Sequence, residues 1–320
     1  MTDDVLFLSG PQVTRLLDAD TAIASQRAAF TALGSGAADL PAKIMHPSRF
    51  DDSVVFAYVS RLSADSGAVA KFGSVNPGNA AAGLPTIHAV VSVLDPVTGR
   101  LAAVMDGAAV TTLRTAAASA VAVDALATPD STDLAVLGSG TQALAHVRAI
   151  ARVRDLTSVR LWSPTPRNRA RAAETLAELG FPAEAAGSAE EAVSGASLVA
   201  ACTLSTTPVV HGERLTPGCT VVSVGSFEPT RREVDTEVLR RSATVVVDDP
   251  ATAAEHAGPV VDALRTGLLT DLVGLGDVLT GRAVARTAPG DIVYYNSVGL
   301  GIQDAAAAWA VVQAAKGERR

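Results

Sequence analysis

A short glycine-containing turn constrains the fold of this chain more than any other feature. The apolar run Asp133–Leu137 leads directly into Gly138-Ser139-Gly140-Thr141-Gln142-Ala143, and a helical pattern follows. In a G-x-G-x-x-A turn between a strand and a helix, the first glycine permits the tight turn and the second lets the backbone approach a pyrophosphate. The helix N-terminus offers free N–H groups and a favourable dipole to that anion. We therefore predict a dinucleotide site at Gly138, Ser139, Gly140, Thr141 and Gln142.

The residues around this turn alternate between strand and helix patterns. Apolar runs predict strands at Asp133–Leu137, Ser158–Trp162, Ser197–Thr203, Thr220–Val224 and Thr244–Val247. Helical patterns lie at Gln142–Val153, Arg167–Leu179, Ala189–Val193, Asp235–Arg240 and Ala251–Leu264. Short apolar strands alternating with helices indicate a parallel sheet covered on both faces. The fold class is therefore α/β, with a Rossmann doubly wound sheet in a dinucleotide-binding domain that we place at residues 113–298.

The N-terminal part has a different pattern, with one helix and then consecutive strands. The helix is predicted at Pro11–Leu33, and the strands at Ser53–Val59, Val69–Val75, Thr86–Leu94 and Leu101–Met105. Strands without intervening helices favour antiparallel pairing. A helix with a threonine cap follows at Thr111–Ala127, and the chain ends with a strand at Ile292–Val298 and a helix at Ile302–Ala315. We predict a β-rich α+β domain from residues 1–112 and 299–320.

Composition excludes several classes of function. The chain has 320 residues, enough for two domains, and a net charge of −7 without a run of basic residues, so we expect no nucleic-acid partner. The apolar runs are broken before the roughly 18 residues that a membrane span needs, and the acidic start does not resemble a secretory signal. Two cysteines make no disulfide framework, and the histidines show no metal-ligand spacing. We expect a soluble cytoplasmic protein without a metal.

The end of the second predicted strand of the Rossmann domain bears on the choice of cofactor. An NAD site places an acidic residue there for the ribose hydroxyls. This chain instead has Ser163, Thr165 and Arg167 in this segment and no carboxylate. A 2′-phosphate would be repelled by an acid and held by hydroxyl and arginine donors. We therefore predict NADPH, with NADH as the alternative, and Ser163, Thr165 and Arg167 as cofactor contacts.

Several motifs together resemble the ornithine cyclodeaminase/mu-crystallin family. They are Val104-Met105-Asp106-Gly107, the run Thr111-Thr112-Leu113-Arg114-Thr115-Ala116, the glycine turn, Gly225-x-x-x-Pro229-x-x-Arg232-Glu233-Val234-Asp235, and Ser297-Val298-Gly299. The resemblance runs from about residue 41 to residue 304. It implies a Rossmann domain, a β-rich domain that binds substrate and forms a homodimer, and hydride transfer between nicotinamide and the Cα of an amino or imino acid. It also leads us to assign Thr203, Leu204, Ser205, Arg231 and Ser297 to the cofactor site.

An α-imino acid needs a cation for its carboxylate and a proton donor for its nitrogen. Arg114, expected in the first turn of its helix, is the predicted carboxylate ligand, and the matching arginine of the family has this role. Lys71 lies in the strand Val69–Val75 between small and apolar residues, where desolvation lowers a lysine pKa. The family places the matching lysine next to the substrate. We predict Lys71, as proton donor or orienting cation, and Arg114 as the catalytic residues.

Four further residues are predicted at the substrate. Lys43 occupies a position where family members usually carry an arginine on the carboxylate, and Thr86 and His88 lie in a segment that the family uses at the nicotinamide and the substrate. Phe227 occupies the position where cyclodeaminases carry an aspartate that serves as base. A phenylalanine cannot accept a proton, so its presence argues against cyclodeamination.

The sequence leaves three functions open. The preferred one is an NAD(P)H-dependent imine (ketimine) reductase or amino-acid dehydrogenase acting on a small α-imino or α-amino acid. The second is an NAD-dependent ornithine-type cyclodeaminase, which is a lyase. The third is a non-catalytic protein that binds small molecules in the presence of NADPH. The loss of the aspartate at Phe227 and the absence of a ribose-binding acid favour the first function over the second.

Overall fold

The computed structural model describes residues 5–318. Its strands, β1 to β14 in chain order, are Leu6–Leu8, Ile44–Pro47, Val54–Ser60, Val69–Val75, Ile87–Leu94, Leu101–Asp106, Asp133–Leu137, Ser158–Trp162, Ala183–Ala185, Leu198–Ala201, Thr220–Ser223, Ser242–Val247, Val273–Gly274 and Ile292–Asn296. Its α-helices, α1 to α11, are Gly10–Leu16, Ala19–Gly34, Gly107–Leu126, Thr141–Ile150, Pro166–Glu178, Ala189–Val193, Thr236–Arg241, Pro250–His256, Gly258–Arg265, Leu275–Leu279 and Gly301–Glu318. Short 3₁₀ turns occur at Pro77–Ala82 and Gly212–Arg214.

The chain divides into two compact units. The first comprises residues 1–114 and 300–320, and the second comprises residues 115–299. The sequence placed these divisions at 112/113 and 298/299, within two residues of the structural ones. The first division falls inside α3, directly after Arg114.

The first unit is built on a six-stranded sheet with the order β1-β6-β5-β4-β3-β2, in which all neighbours except β1 and β6 are antiparallel. Its inner face is covered by α11, which packs on β3, β4 and β5 and is itself contacted by α2. Lys71 faces this inner side, because it pairs with the buried Val91 and cross-strand partners share a face. The other face, which we name the open face, carries apolar side chains that remain exposed: Phe7, Ile44, Val55, Val59, Phe72 and Val90.

Two helices differ from the sequence prediction because aspartates cap them. The predicted helix at Pro11–Leu33 is interrupted, and Asp18 caps α2 by accepting a hydrogen bond from the backbone N–H of Thr21 at 2.8 Å. At α3, Asp106 accepts from the N–H of Ala109 at 2.8 Å, so the helix begins at Gly107 rather than at a threonine cap near Thr111. By length and composition alone, this helix could cross a membrane. Two thirds of its most apolar 18-residue stretch is buried inside the protein, however, as in a core helix.

The second unit contains an eight-stranded, entirely parallel sheet with the order β13-β12-β14-β11-β10-β7-β8-β9. Its central strands β7, β10 and β11 are buried except at the half-buried Asp133, as strands of a parallel sheet covered on both faces require. From β7 the chain proceeds to β8 and β9 on one side and to β10 and β11 on the other. The strand order therefore reverses between β7 and β10, and α/β folds bind ligands beyond the carboxyl ends of strands at such a point. The Rossmann fold class predicted from the sequence is confirmed.

Candidate functional site

The glycine turn of the second unit has the geometry that a dinucleotide requires. Gly138 has φ of 128°, and a Cβ there would lie 2.6 Å from the carbonyl oxygen of Cys202, so only glycine fits. Gly140 is the N-cap of α4 and supplies no side-chain cap, and a Cβ on it would meet nothing within 4 Å. Among the described residues, the side-chain Oε1 of Gln142 is buried and has no hydrogen-bond partner. Free helix N–H groups, open space at Gly140 and an unsatisfied buried acceptor together fit a bound dinucleotide.

The predicted cofactor-selecting residues lie between β8 and α5. Ser163 is buried directly beyond β8, and its carbonyl accepts a hydrogen bond from Nη1 of Arg169 at 3.0 Å. Thr165 is the N-cap of α5 and its side chain caps no backbone group, while Arg167 is exposed in the first turn. The first turn of α5 contains no acidic residue. Ser163, Thr165 and Arg167 thus bring two hydroxyl groups and a cation to this end of β8, and none of them is a carboxylate that would repel an anion.

A buried glutamate joins the two loops that follow β10 and β11. One carboxylate oxygen of Glu233 accepts hydrogen bonds from the backbone N–H of Thr203 at 2.5 Å and from its hydroxyl at 2.9 Å. The other accepts from the hydroxyl of Ser223 and from the N–H of Gly225, both at 2.7 Å. Burial raises the pKa of Glu233 to about 7, although the four donors act in the opposite direction.

The predicted cofactor residues Leu204, Ser205 and Arg231 lie in the same loop region. The guanidinium of Arg231 stacks over the ring of Phe227 at 4.8 Å, pairs with Glu228 at 3.0 Å and donates weakly to the carbonyl of Leu204 at 3.4 Å. The N–H of Arg232 donates to the carbonyl of Ser205 at 2.9 Å. Phe227 thus stacks against a cation. It supplies no carboxylate at the position where cyclodeaminases carry an aspartate.

Ser297 follows β14 and its hydroxyl is directed into the protein. It donates to Asp248 at 2.9 Å, and the same carboxylate accepts from the backbone N–H groups of Val298 and Gly299 at 2.9 and 2.8 Å. Tyr295 also donates its hydroxyl to Asp248. The structure therefore gives the Ser297 hydroxyl a protein acceptor, whereas the sequence assigned this residue to the cofactor.

The centre of the candidate substrate site in the first unit is a buried ion pair. Nζ of Lys71 lies 2.7 Å from Oδ2 of Asp304, with side-chain exposures of 3% and 1%. Burial lowers the pKa of Lys71 to about 8; Asp304 opposes this shift, whereas the neighbouring charges of Arg114 and Lys43 add to it. The ammonium also lies 3.4 Å from the hydroxyl of Thr111. A lysine with this pKa exchanges its proton in the neutral to mildly alkaline range.

Arg114 approaches the same carboxylate from α3. Its Nε donates to Oδ1 of Asp304 at 3.1 Å, and its Nη1 donates to Oε1 of Gln303 at 3.2 Å. Because α3 begins at Gly107, Arg114 lies about two turns into the helix, and the predicted contribution of the helix dipole was wrong. Within the described residues, these bonds leave Nη2 of Arg114 without a protein acceptor, and Nε2 of Gln303 is buried without a partner. Both groups are donors suited to a carboxylate.

Aromatic rings form one side of this cluster. Nζ of Lys71 lies 4.6 Å from the ring centroid of Tyr58 and 5.9 Å from that of Phe56, and the two rings stack at 5.4 Å. Cation–π attraction favours the charged form of the lysine. Lys43 is within electrostatic range of Lys71, so three cations and the single carboxylate of Asp304 lie in this region. The local charge therefore favours an anionic ligand.

The structure does not bring His88 to this cluster. His88 pairs with Ser74 in the β4–β5 ladder, whereas Lys71 pairs with Val91, so the two side chains lie on opposite faces of the sheet. His88 is exposed on the open face. Thr86 precedes β5, and its carbonyl accepts from the N–H of Asn76 at 2.7 Å. The assignment of His88 to the substrate conflicts with the two-residue period of the strand.

Sequence reasoning missed three residues that organise the two sites: Asp304, Gln303 and Glu233. Asp304 lies 190 residues from Arg114, so spacing along the chain gave no signal for this contact. A polar pair, Gln303-Asp304, in the otherwise apolar first part of the helix was the available clue, because buried charges require partners. Glu233 belongs to the motif that begins at Gly225, but no role was predicted for it. Among the described residues, no group of three or more His, Cys, Asp or Glu side chains is arranged to hold a metal.

Comparisons with known proteins agree with this description. The model of the ornithine cyclodeaminase/mu-crystallin family matches residues 4–319. The ketimine reductase mu-crystallin of Mus musculus is 34% identical over 232 residues, which cover 72% of this chain and 71% of that protein. The Thermococcus litoralis Δ1-pyrroline-2-carboxylate reductase, solved with NADH and L-proline, superposes with a TM-score of 0.94 at 28% identity and 98% coverage of both chains. An archaeal alanine dehydrogenase dimer with bound NAD gives a TM-score of 0.92 at 30% identity, covering 99% of this chain and 97% of that one.

Proposed function

The chain belongs to the ornithine cyclodeaminase/mu-crystallin family, and we propose that it reduces the C=N bond of a small α-imino acid with NADPH. It is a nicotinamide-dependent enzyme that acts on C=N or amino groups. The observation that carries the proposal is the buried cluster of Lys71, Arg114 and Asp304, which combines a carboxylate-binding cation with a lysine of lowered pKa. Each member of the cluster has a separate task in imine reduction.

Arg114 binds the substrate carboxylate through its Nη2 edge, and the buried amide N–H of Gln303 contributes a further donor. Asp304 holds the guanidinium by its Nε, so that the remaining edge is fixed in orientation. Lys43 adds a positive charge to the surroundings of the anion. The substrate is thereby oriented before the reaction begins.

Lys71 donates the proton. A nicotinamide cofactor held at the glycine turn would supply the hydride for the new C–H bond at the imine carbon. The imine nitrogen takes its proton from Nζ of Lys71, and the C=N double bond becomes a C–N single bond in an α-amino acid. The carboxylate of Asp304 at 2.7 Å favours the charged, proton-carrying form of Lys71, and burial disfavours it. The resulting pKa of about 8 lets the lysine give up its proton and regain it near neutral pH.

Phe227 supports reduction over cyclodeamination. Loss of ammonia with ring closure needs a base at this position, and a phenyl ring stacked under Arg231 cannot take a proton. The neighbouring Glu228 is engaged by Arg231 at 3.0 Å. The chain thus keeps the cations for a carboxylate and for proton donation but has no base in the cyclodeaminase position.

A substrate screen tests this function. The purified protein is given NADPH with Δ1-pyrroline-2-carboxylate, and separately with α-keto acids plus amines, while the absorbance of the reduced nicotinamide is followed. We expect oxidation of NADPH with an imine and formation of the corresponding amino acid. Proline and ammonia formed from ornithine with catalytic NAD⁺ would overturn the proposal, and the absence of turnover with binding of NADPH would favour a binding protein.

We also propose a homodimer formed through the open face of the six-stranded sheet. β3 and β4 carry apolar residues on both faces, a pattern of strands that are covered on both sides. The inner face is covered by α11, whereas Phe72 on the open face remains 60% exposed. A large apolar surface of this kind marks an interaction site, and a symmetric second copy would bury it. The alanine dehydrogenase that this chain resembles is a dimer, which supports the same occupant.

A further inference from the structure

We propose that Glu233 is a positioning residue for the cofactor: its carboxylate holds residues 203–205 and residues 223–225 in the geometry that binds the nicotinamide dinucleotide. The inference rests on the proposed function in one respect, that the protein binds this cofactor. Glu233 belongs to neither the glycine turn nor the cluster around Lys71, and no step of the reaction described above uses it.

Each oxygen of Glu233 serves one loop. Oε1 receives both donors of Thr203, which follows β10, and Oε2 receives the hydroxyl of Ser223 and the N–H of Gly225, at and beyond the end of β11. Thr203 in turn accepts from the N–H of Ser205 at 3.2 Å through its hydroxyl oxygen. A single side chain therefore fixes the relative positions of two loops and the turn within one of them.

These loops lie where a dinucleotide must pass. β10 adjoins β7, and the strand order reverses between them, so their carboxyl ends form the ligand crevice of the fold. The carbonyl of Cys202 lies so close to Gly138 that no Cβ fits between them, which places the chain before Thr203 directly against the dinucleotide turn. A displacement of residues 203–205 would therefore change the wall of the crevice opposite the phosphates.

The hydrogen-bond pattern requires a carboxylate at this position. Two of the four donors are backbone N–H groups, those of Thr203 and Gly225, and they cannot become acceptors. A glutamine at this position would direct its NH₂ group at the backbone N–H and the hydroxyl of one of the two loops. The N–H is a donor, so no hydrogen bond forms between it and the NH₂ group. An ionised carboxylate accepts all four hydrogen bonds, and both the amide and the protonated acid lose at least one acceptor.

Protonation of Glu233 places a hydrogen on one of its two oxygens, where an N–H and a hydroxyl already donate, and therefore weakens the contact with one loop. Burial raises the pKa of Glu233 to about 7, which brings this protonation into the neutral range. The titratable groups that face it, Cys202 beyond β10 and Tyr294 on β14, have pKa values raised by burial and stay neutral there, and Arg232 on the same segment is paired with Asp262.

The first test compares the affinity for NADH of the parent protein, Glu233→Gln and the control Glu213→Gln, which replaces an exposed glutamate. Binding is followed by quenching of protein fluorescence. We expect Glu233→Gln to bind NADH about 10- to 100-fold more weakly, the range for losing a hydrogen bond to a charged group, and the control to bind like the parent. Equal affinity of all three proteins overturns the inference, whereas a parent protein that binds no nicotinamide cofactor overturns the proposed function.

The second test separates positioning from general support of the fold. If only the ionised form holds the loops, the affinity of the parent for NADH falls about tenfold between pH 8 and pH 6, because the competent fraction falls with the pKa of Glu233 near 7. Ser223→Ala removes a donor that favours the carboxylate, so the pKa rises and the fall in affinity moves to higher pH. A pH dependence that is unchanged in Ser223→Ala overturns the inference, and this variant decides the question if Glu233→Gln fails to fold.

Discussion

The Nζ of Lys71 and the Oδ2 of Asp304 are 2.7 Å apart in a part of the first unit that solvent does not reach. A buried ion pair contributes little net stability, because desolvating both charges offsets their attraction, but removing one partner leaves the other charge unpaired at high cost. Asp304 contacts both Lys71 and Arg114, so one carboxylate sets the position of the proposed proton donor and of the proposed carboxylate ligand. We therefore expect the ion pair to matter more for the reaction than for the stability of the fold.

Replacing Lys71 by alanine is expected to lower the turnover of imine reduction by about 10²- to 10⁴-fold, the contribution of a general acid. Binding of NADPH should change little, because Lys71 belongs to the first unit and the glycine turn to the second. Stopped-flow or steady-state rates and fluorescence titration measure the two effects. Lys316→Ala, in the last turn of α11, is the control. A Lys71→Ala enzyme that reduces its best imine at the parent rate would contradict the assignment.

The pH dependence of reduction is expected to reflect the pKa of Lys71 of about 8. Protonated lysine donates, so kcat/KM should fall as the pH rises above about 8. Asp304 raises this pKa, so Asp304→Asn should move the alkaline limb to lower pH.

The free energy of unfolding is also expected to depend on the protonation of Lys71. The pKa of this lysine in the folded protein lies below the ordinary 10.5, so between about 8 and about 10.5 the unfolded chain binds one more proton than the folded one. The free energy of unfolding therefore rises with pH over this range, which is the opposite of the usual lysine case. Urea unfolding of the parent and of Lys71→Met across this range checks the linkage.

Much of the second unit was predictable because parallel strands have a strong local signal. β7 and β8 have the predicted bounds, Asp133–Leu137 and Ser158–Trp162, since each is a short apolar run ended by turn residues. The partnership of Lys71 and Arg114 with Asp304 was not predictable, because it depends on how α11 packs on the sheet. The start of α3 was misplaced because a threonine near residue 111 had been taken as the cap, whereas Asp106, directly beyond the predicted strand Leu101–Met105, caps the helix. His88 was misassigned because its position relative to Lys71 depends on the register of β4 and β5.

Replacing Arg114 by alanine should mainly raise KM for the imine, by about 10- to 100-fold, as expected for losing a charge-assisted contact to a carboxylate. Arg114→Lys keeps the charge but not the fork, so it should recover only part of the affinity. Arg15→Ala, which breaks an exposed pair with Glu318, serves as control. Initial rates over a range of imine concentrations separate KM from kcat. An unchanged KM in both Arg114 variants would remove this residue from the substrate site.

The choice of cofactor can be tested at the end of β8. Ser163→Asp places a carboxylate where an NAD site carries one, and it should weaken binding of NADPH by repelling the 2′-phosphate while sparing NADH. Arg167→Ala should weaken NADPH selectively through the loss of a cation. Ser35→Asp, at the exposed end of α2, is the control for adding a carboxylate away from the glycine turn. Titration of each protein with both cofactors gives the ratio of dissociation constants, and a parent protein that prefers NADH would refute the proposed selection.

A charge placed on the open face is expected to dissociate the proposed dimer. Phe72 projects from the middle of this face, where it is 60% exposed in the single chain, and its neighbours on β3 and β5 are Ala57 and Val90. Phe72→Asp would bury a charge without a partner in a symmetric dimer, where the same position occurs twice, so the variant should sediment as a monomer of 32.5 kDa. Val97→Asp, at a turn position that is 89% exposed, should leave the assembly unchanged. Analytical ultracentrifugation at micromolar concentration distinguishes the two states. A parent protein that is already monomeric, or a Phe72→Asp protein that remains dimeric, would show that the open face is not the contact between the two copies.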